Sequence, residues 1–303
     1  MESTALKKLE PSKPKIWSVS QVVLILVLAL FVLICVLPVL NVAAISLSGK
    51  SAILQGRVTF WPVDFSTNAY IAIFRDSSMI YCMFYTIFLT VVYTLIAIVS
   101  TVLLAYPLTK KRLHGRKILS ALIIFTMYFS GGTIPTYLTI KNYGLINTMW
   151  SLIFPAMIST YNMIILRSFI SALPGELEEA AIIDGADDFQ VLFRVILPLS
   201  LPAVTTISLF YAVGKWNSFS DALYYISTTR LQPLQLRLYN IIKGAQSVEI
   251  SLIEGSSSTD FGYSITESIE SASIIFATLP ILLVYPFVQR YFVSGVTVGA
   301  VKG

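Results

Sequence analysis

Residues 171–198 read SALPGELEEAAIIDGADDFQVLFRVILP. Six carboxylates, those of Glu176, Glu178, Glu179, Asp184, Asp187 and Asp188, stand here between two strongly apolar stretches. Crossing a bilayer does not call for them. Locally the segment reads as helix, glycine turn, helix. Pro174 suits a first helical turn, where its missing N–H leaves nothing unpaired. Glu176, Glu178 and Glu179 then fall in or near that turn, where carboxylates complement the positive end of the helix dipole. Ala180 and Ala181 favour helix and have little bulk. Gly185 suits a left-handed helix stop. Asp187, with Gln190 three residues on, resembles a capping box that starts a second helix. Val191, Leu192, Val195 and Ile196 give that helix an apolar face, and Pro198 ends the segment. The expected unit is a docking face of small side chains bordered by carboxylates. On local physics alone, a solvated amphipathic connector fits as well. Catalysis is not expected, because a solvated loop has no pocket to tune a carboxylate pair.

The flanks are those of a membrane protein. The 303 residues are 56% hydrophobic and 12% charged, against about 25% charged in a soluble domain. Residues 22–40, VVLILVLALFVLICVLPVL, carry no polar side chain apart from the thiol of Cys35. At about 1.5 Å per residue such a run crosses the hydrocarbon core. It is too long for a signal-peptide core and no small-residue cleavage site follows closely, so it reads as a retained anchor. The expected fold is all-α, with six spans near 18–46, 79–108, 117–140, 145–167, 200–226 and 271–292. Ser130-Gly131-Gly132 with Pro135 interrupts the third, and Pro155 the fourth. Such breaks need protein or a cavity to satisfy the freed backbone groups.

Basic residues set the orientation. Lys7, Lys8, Lys13 and Lys15 precede the first span, and TKKRLHGRK (109–117) joins the second to the third. Both are expected in the cytoplasm. The acidic loop and both termini fall on the same side. The segment 47–78 and the long Ser-rich segment 227–270, with SLIEGSSSTDFG near its end, face outside. Cys35 and Cys82 lie in apolar stretches without ligand-like neighbours, and His114 is the only histidine. No disulfide, metal site or histidine-based catalysis is expected. The P-loop pattern G-x-x-x-x-G-K-[ST] does not occur, so no ATP is expected on this chain. A nucleic-acid partner is not expected either.

EAAIIDGADDFQVLFRVILP resembles the signature of ABC importer membrane subunits, carbohydrate-uptake branch. Glu179, Ala180, Ala181, Gly185, Leu197 and Pro198 fit it position by position, and Asp184-Gly185-Ala186 looks like the carbohydrate branch. Asp187 departs from the serine most often expected there, but aspartate caps a helix equally well. YGLINTMWSLIFP (143–155), LRSFISALP (166–174), WNSF (216–219), PLQLRL (233–238) and QRYFVSGVTVGAVKG (289–303) extend the likeness over most of the chain from about residue 79. Within that branch the chain looks like the smaller membrane subunit of the maltose importer and like permeases for oligosaccharides, including uronate-containing ones.

The resemblance implies a type I ABC importer permease in a bacterial cell membrane. The domain plan is a tail at 1–17, a permease domain at 18–293 with its core from 79, and a tail at 294–303. The implied partners are a second homologous permease, two cytoplasmic ATPase subunits that hold ATP and magnesium, and an extracytoplasmic solute-binding protein. The helix before Gly185 would be the coupling helix, with Glu179 meeting a basic group on the ATPase and Asp184, Leu197 and Pro198 completing the loop. A self-sufficient secondary transporter is the alternative; it calls for inverted repeats or intramembrane carboxylates, of which Asp221 is the main candidate.

YAVGKWNSFSDALYY (211–225) is the candidate substrate path. On a helix from about residue 200, Lys215 lies about 22 Å along. Charge at that depth faces a cavity or another helix. Trp216 could stack on a sugar face, and Asn217 could bond hydroxyls. Lys215 could meet an acidic sugar, snorkel to the interface, or pair with Asp221, although six residues apart is poor geometry on one helix. Tyr211 completes the path.

Overall fold

The computed structural model describes residues 19–253 and 267–286, with 245–253 described by their backbone alone. The basic N-terminal tail, most of the SLIEGSSSTDFG stretch and the terminal QRYFVSGVTVGAVKG lie outside the described residues. Among the described residues there is no strand.

The helices are α1 (Val19–Ser46), α2 (Lys50–Leu54), α3 (Asn68–Arg75), α4 (Ser77–Ala105), α5 (Arg116–Tyr128), α6 (Thr133–Asn142), α7 (Trp150–Ile153), α8 (Thr160–Ser171), α9 (Gly175–Ile183), α10 (Asp188–Val191), α11 (Leu197–Leu199), α12 (Leu201–Asn217), α13 (Ser220–Tyr225) and α14 (Leu234–Ile253). A further helix, α15, covers Glu267–Pro286.

Among the described residues, three helical stretches are long and apolar enough to cross a membrane: Val19–Ser46, Ser77–Thr109 and Glu267–Pro286. Most of α1 stands clear of the core, its valines and leucines exposed and only its end packed. That is the surface a bilayer covers. Three further stretches pass the same test as bent pairs. Arg116–Tyr128 meets Thr133–Asn142 at 114°, Trp150–Ala156 meets Thr160–Ser171 at 52°, and Asp188–Leu199 meets Leu201–Asn217 at 81°.

The expected third span therefore turns sharply at Ser130-Gly131-Gly132. Gly132 takes φ +87°, a conformation open to glycine. Pro135 does not break the chain; it sits in the first turn of α6, where proline is tolerated. The fourth span bends at residues 157–159, just after the 3-10 turn that holds Pro155. The fifth is shorter than the expected 200–226. It ends at Asn217, and the chain restarts as α13. The expected long loop carries a 20-residue helix, α14.

The centre is α4, which packs along α12 and also against α8 and α14. One core cluster joins Val102, Ala105 and Leu108 of the α4 end with Leu166 of α8, Val191, Leu192 and Ile196 of the acidic loop and Ile207 of α12. The loop is thus seated on the bundle. At the other end, Leu234 and Leu238 of α14 pack with Met79, Cys82 and Trp216. Asn147, at φ +59°, clips the turn before α7 to the turn after α13. Its side-chain oxygen accepts from the N–H of Ser227 and Thr228, and its amide donates to Thr228 Oγ1.

Candidate functional site

The acidic loop is built as its residues dictate. Pro174 is the residue before α9, one position short of the expected first turn, and Glu176 and Glu178 fill that turn. Gly185 ends α9 at φ +83°. Asp187 caps α10: its Oδ1 accepts from the Gln190 N–H at 2.7 Å, and Gln190 Oε1 accepts from the Asp187 N–H at 3.2 Å. A π-helical turn, Leu192–Ile196, carries the chain into α11 and Pro198. Val191, Leu192 and Ile196 are buried, while Val195 is half-buried.

The small residues divide. Ala181 packs against the core, whereas Ala180 is exposed. The exposed face is more apolar than carboxylates alone suggest, with Ile182, Ile183 and Phe189 open to the surroundings and Ile183 84% exposed. The carboxylates divide too. Glu178 pairs with Lys110, and Asp188 with Arg112. Lys110 also lies 4.0 Å from the centre of the Tyr106 ring. The expectation that the acidic side chains serve a partner is therefore too broad: two of them tie the loop to the basic turn after α4. Among the described residues, Glu176, Glu179 and Asp184 have no ion-pair partner and stay exposed. Leu197 is half-buried against the core and Pro198 is exposed.

The membrane cluster is rearranged relative to the sequence reading. Lys215 is 7% exposed. Its Nζ donates to the Leu152 carbonyl at 2.6 Å and to Asp221 Oδ2 at 3.0 Å, and stands 5.2 Å from the centre of the Tyr93 ring. The poor geometry expected for a Lys215–Asp221 pair does not apply, because the helix breaks at Ser218 and α13 swings Asp221 back. Trp216 packs in the apolar cluster with Met79 and Cys82. Asn217 is exposed and donates to the Val213 carbonyl.

Tyr211 lines a cavity of about 570 Å3 together with Tyr93, Tyr161, Asn162, Phe210 and Gly214. Its hydroxyl is within 2.7 Å of Thr101 Oγ1 and accepts from the Ser159 N–H. The Tyr93 hydroxyl donates to the Ala156 carbonyl at 2.7 Å. Both rings are thus held by their polar ends. Asn162 is 5% exposed, and its side-chain amide has no hydrogen-bond partner among the described residues. Sequence reading missed Tyr93 and Asn162; an asparagine deep in an apolar span was the available signal. Aromatic walls with few placed polar groups are the ordinary make-up of a small-ligand cavity. No group of three or more metal-ligating side chains occurs among the described residues.

Comparison with known proteins gives this arrangement a context. Residues 115–298 match the family described as binding-protein-dependent transport system inner membrane component. The polygalacturonan/rhamnogalacturonan transport system permease protein YtcP of Bacillus subtilis (strain 168) is 40% identical over 279 residues, covering 91% of this chain and 96% of that protein. Protein LplC of the same organism is 41% identical over 272 residues, 89% of this chain and 90% of that one. Among solved structures, a chain of a bacterial ABC transporter involved in the import of the acidic polysaccharide alginate superposes with a TM-score of 0.81, at 29% identity, over 93% of this chain and all of that chain. The chain therefore belongs to the binding-protein-dependent transport system inner membrane components, the membrane permease subunits of ABC transporters.

Proposed function

We propose that this chain is one of two permease subunits of an ATP-driven oligosaccharide importer, and that residues 171–199 carry the motion of a cytoplasmic ATPase into the membrane. The observation that carries this reading is the acidic loop itself. Its inner face is locked to the bundle through Val191, Leu192 and Ile196 and through two ion pairs. Its outer face leaves Glu179, Asp184, Ile182 and Ile183 uncovered. A rigid element with an apolar, acidic outer face can push on the helices behind it when a partner moves. In this reading α9 is the coupling helix, and the six spans are α1, α4, the bent pair α5–α6, the bent pair α7–α8, α12 and α15. The 1–17 tail, the acidic loop and the 294–303 tail are cytoplasmic, and 227–270 lies outside.

The chain is a non-catalytic subunit in this reading. ATP and magnesium sit on two separate ATPase subunits, and a second permease and an extracytoplasmic binding protein complete the assembly. The names of the relatives, one a polygalacturonan/rhamnogalacturonan transport system permease and the other part of an importer of the acidic polysaccharide alginate, support a saccharide cargo. The Tyr93, Asn162 and Tyr211 cavity is the stretch of path we assign to this subunit. Its ring faces suit sugar C–H surfaces and its free amide suits hydroxyls. Lys215 is assigned to holding the path's shape. Family membership favours this reading over a self-sufficient secondary carrier, and Asp221 is already paired.

Cross-linking tests the docking face. Ile183→Cys, in membranes of cells that express the whole transporter, is expected to cross-link to an ATPase subunit bearing introduced surface cysteines, with a yield that changes when ATP binds. If no ATPase position gave a cross-link while a thiol on α1 gave equal labelling, the docking role would be wrong.

A further inference from the structure

A second cavity, of about 260 Å3, lies on the other side of the Pro155–Ala156 turn from the aromatic one; Ala156 lines both. Its walls come from the 114° turn between α5 and α6, from α7 and from α13. Thr133, Thr136, Ser151, Ser220 and Tyr225 bring hydroxyls to it, and Asp221 brings a carboxylate. Among the described residues, no lysine, arginine or histidine lines it.

The two cavities stand in sequence along the bundle. α8 and α12 both rise from the acidic loop. The aromatic cavity takes Ser159 and Tyr161 from the far end of α8 and Tyr211 from well along α12. The polar cleft takes residues beyond those ends, from α7 and α13. It is the tier further from the acidic loop.

Tyr225 marks the cleft as a place for a ligand. The residue is 7% exposed. Its ring stacks on Tyr137 at 6.3 Å, but its hydroxyl has no partner among the described residues. That hydroxyl is not sealed inside the protein, so its donor and acceptor stay open to a ligand that enters the cleft. Asp221 is arranged differently. One oxygen is taken by Lys215, and the other accepts from Ser220 Oγ at 3.3 Å. The Lys215 ammonium is consumed by Asp221 and Leu152, so no free cation meets a ligand here. Thr136, Ser151 and Ser220 donate to the Gly132 and Thr148 carbonyls and to Asp221 Oδ1 and so face the cleft as acceptors, while Thr133 and Tyr225 keep a donor; that mixture is the chemistry that reads sugar hydroxyls.

Resting on the saccharide reading above, we propose that this cleft is a second sugar subsite, one tier beyond the aromatic cavity, so that the subunit holds at least two consecutive units of an oligosaccharide and reads the outer one by its hydroxyls.

Thiol protection tests this in membranes containing the whole transporter and its binding protein, in a Cys35→Ser background. Ser220→Cys is labelled with a small polar thiosulfonate. The probes are a galacturonate trimer and its carboxyl-reduced, neutral counterpart. Each trimer that stimulates ATP hydrolysis is expected to slow labelling. Adding Tyr225→Phe, which keeps the ring on Tyr137, is expected to raise the half-protecting concentration roughly 3- to 10-fold, the loss of one neutral hydrogen bond, with the sugar-free labelling rate unchanged. Labelling at full speed under a trimer that still stimulates ATP hydrolysis would overturn the subsite and leave the importer reading standing. A sugar-free rate altered by Tyr225→Phe would assign the phenol to the shape of the cleft and also overturn it. Trimers that neither protect nor stimulate would overturn the saccharide reading together with the subsite.

Discussion

Lys110 and Glu178 form an ion pair that fastens the basic turn after α4 to the first turn of α9. Both side chains are mostly buried, 12% and 26% exposed. The pair joins the end of the bundle's central helix to the face assigned to the ATPase, so it stands where force must pass.

Charge reversal at one partner is expected to uncouple the two. Glu178→Lys places two ammonium groups together and is expected to lower sugar-stimulated ATP hydrolysis severalfold. The double variant Lys110→Glu with Glu178→Lys is expected to restore most of it. Because both side chains are mostly buried, breaking the pair costs about 3–5 kcal/mol, so loss of fold is separated from loss of coupling by following stability beside activity. The check is stimulated hydrolysis in all three variants beside thermal stability in detergent. A double variant no better than the single one would show that the pair carries no coupling.

Gly185 separates backbone strain from crowding. Its φ is +83°, and a Cβ there would meet nothing within 4 Å. Gly185→Ala therefore costs about 1–2 kcal/mol through conformation alone. Gly185→Asn costs less, because asparagine tolerates the left-handed region. Comparing melting temperatures of the two variants checks this. Equal losses would mean that space, not φ, sets the requirement.

Lys215 and Asp221 are expected to be strongly non-additive. Removing Asp221 leaves the buried Lys215 ammonium without its carboxylate, at about 3–5 kcal/mol, and removing Lys215 leaves the Asp221 carboxylate without its cation. Lys215→Met together with Asp221→Leu removes both charges and is expected to cost much less than the sum. A double-mutant cycle on thermal unfolding in detergent reads the difference. Additive single losses would mean that the two groups do not share their partner.

Asp76 gives a pH dependence. It caps α4, accepting from Ser78, and bonds Arg237 of α14 at 2.9 Å. Burial pushes its carboxyl up, but the bonds from Ser78 and Arg237 prevail and hold it below its ordinary value. A lowered folded-state value means that the stabilisation is complete above the unfolded carboxyl value, about 3.9, and is lost as pH falls through the folded one. Asp76→Asn is expected to melt below the wild type at pH 7, with a gap that begins to shrink as pH falls past about 3.9 and closes below the lowered folded-state value. A gap that stayed constant with pH would rule this out.

Local chemistry explains what could be read in advance. The turn at Gly185 and the box between Asp187 and Gln190 depend on neighbours in sequence, and both are present where the residues place them. The apolar runs likewise mark α1, α4 and α15. Long-range pairing left no such trace. Nothing near Glu178 says that it meets Lys110 rather than a partner, as Glu179 is proposed to do. The Lys215–Asp221 pair looked unfavourable because one helix was carried past Asn217; the break at Ser218 changes the geometry entirely. Trp216 read as a sugar platform because indole suits that role, yet its side of α12 faces α4 and α15. Membership in a transporter family was legible because Glu179, Ala180, Ala181 and Gly185 stand together in sequence.

ATP hydrolysis by the reconstituted transporter tests the central claim most directly. The wild type is compared with Glu179→Lys combined with Gly185→Pro, each with the binding protein loaded or empty. The account predicts sugar-stimulated hydrolysis in the wild type and its collapse in the variant, with the assembly still intact. Stimulation that survived those changes, or solute movement by this chain in liposomes without any ATPase, would contradict it.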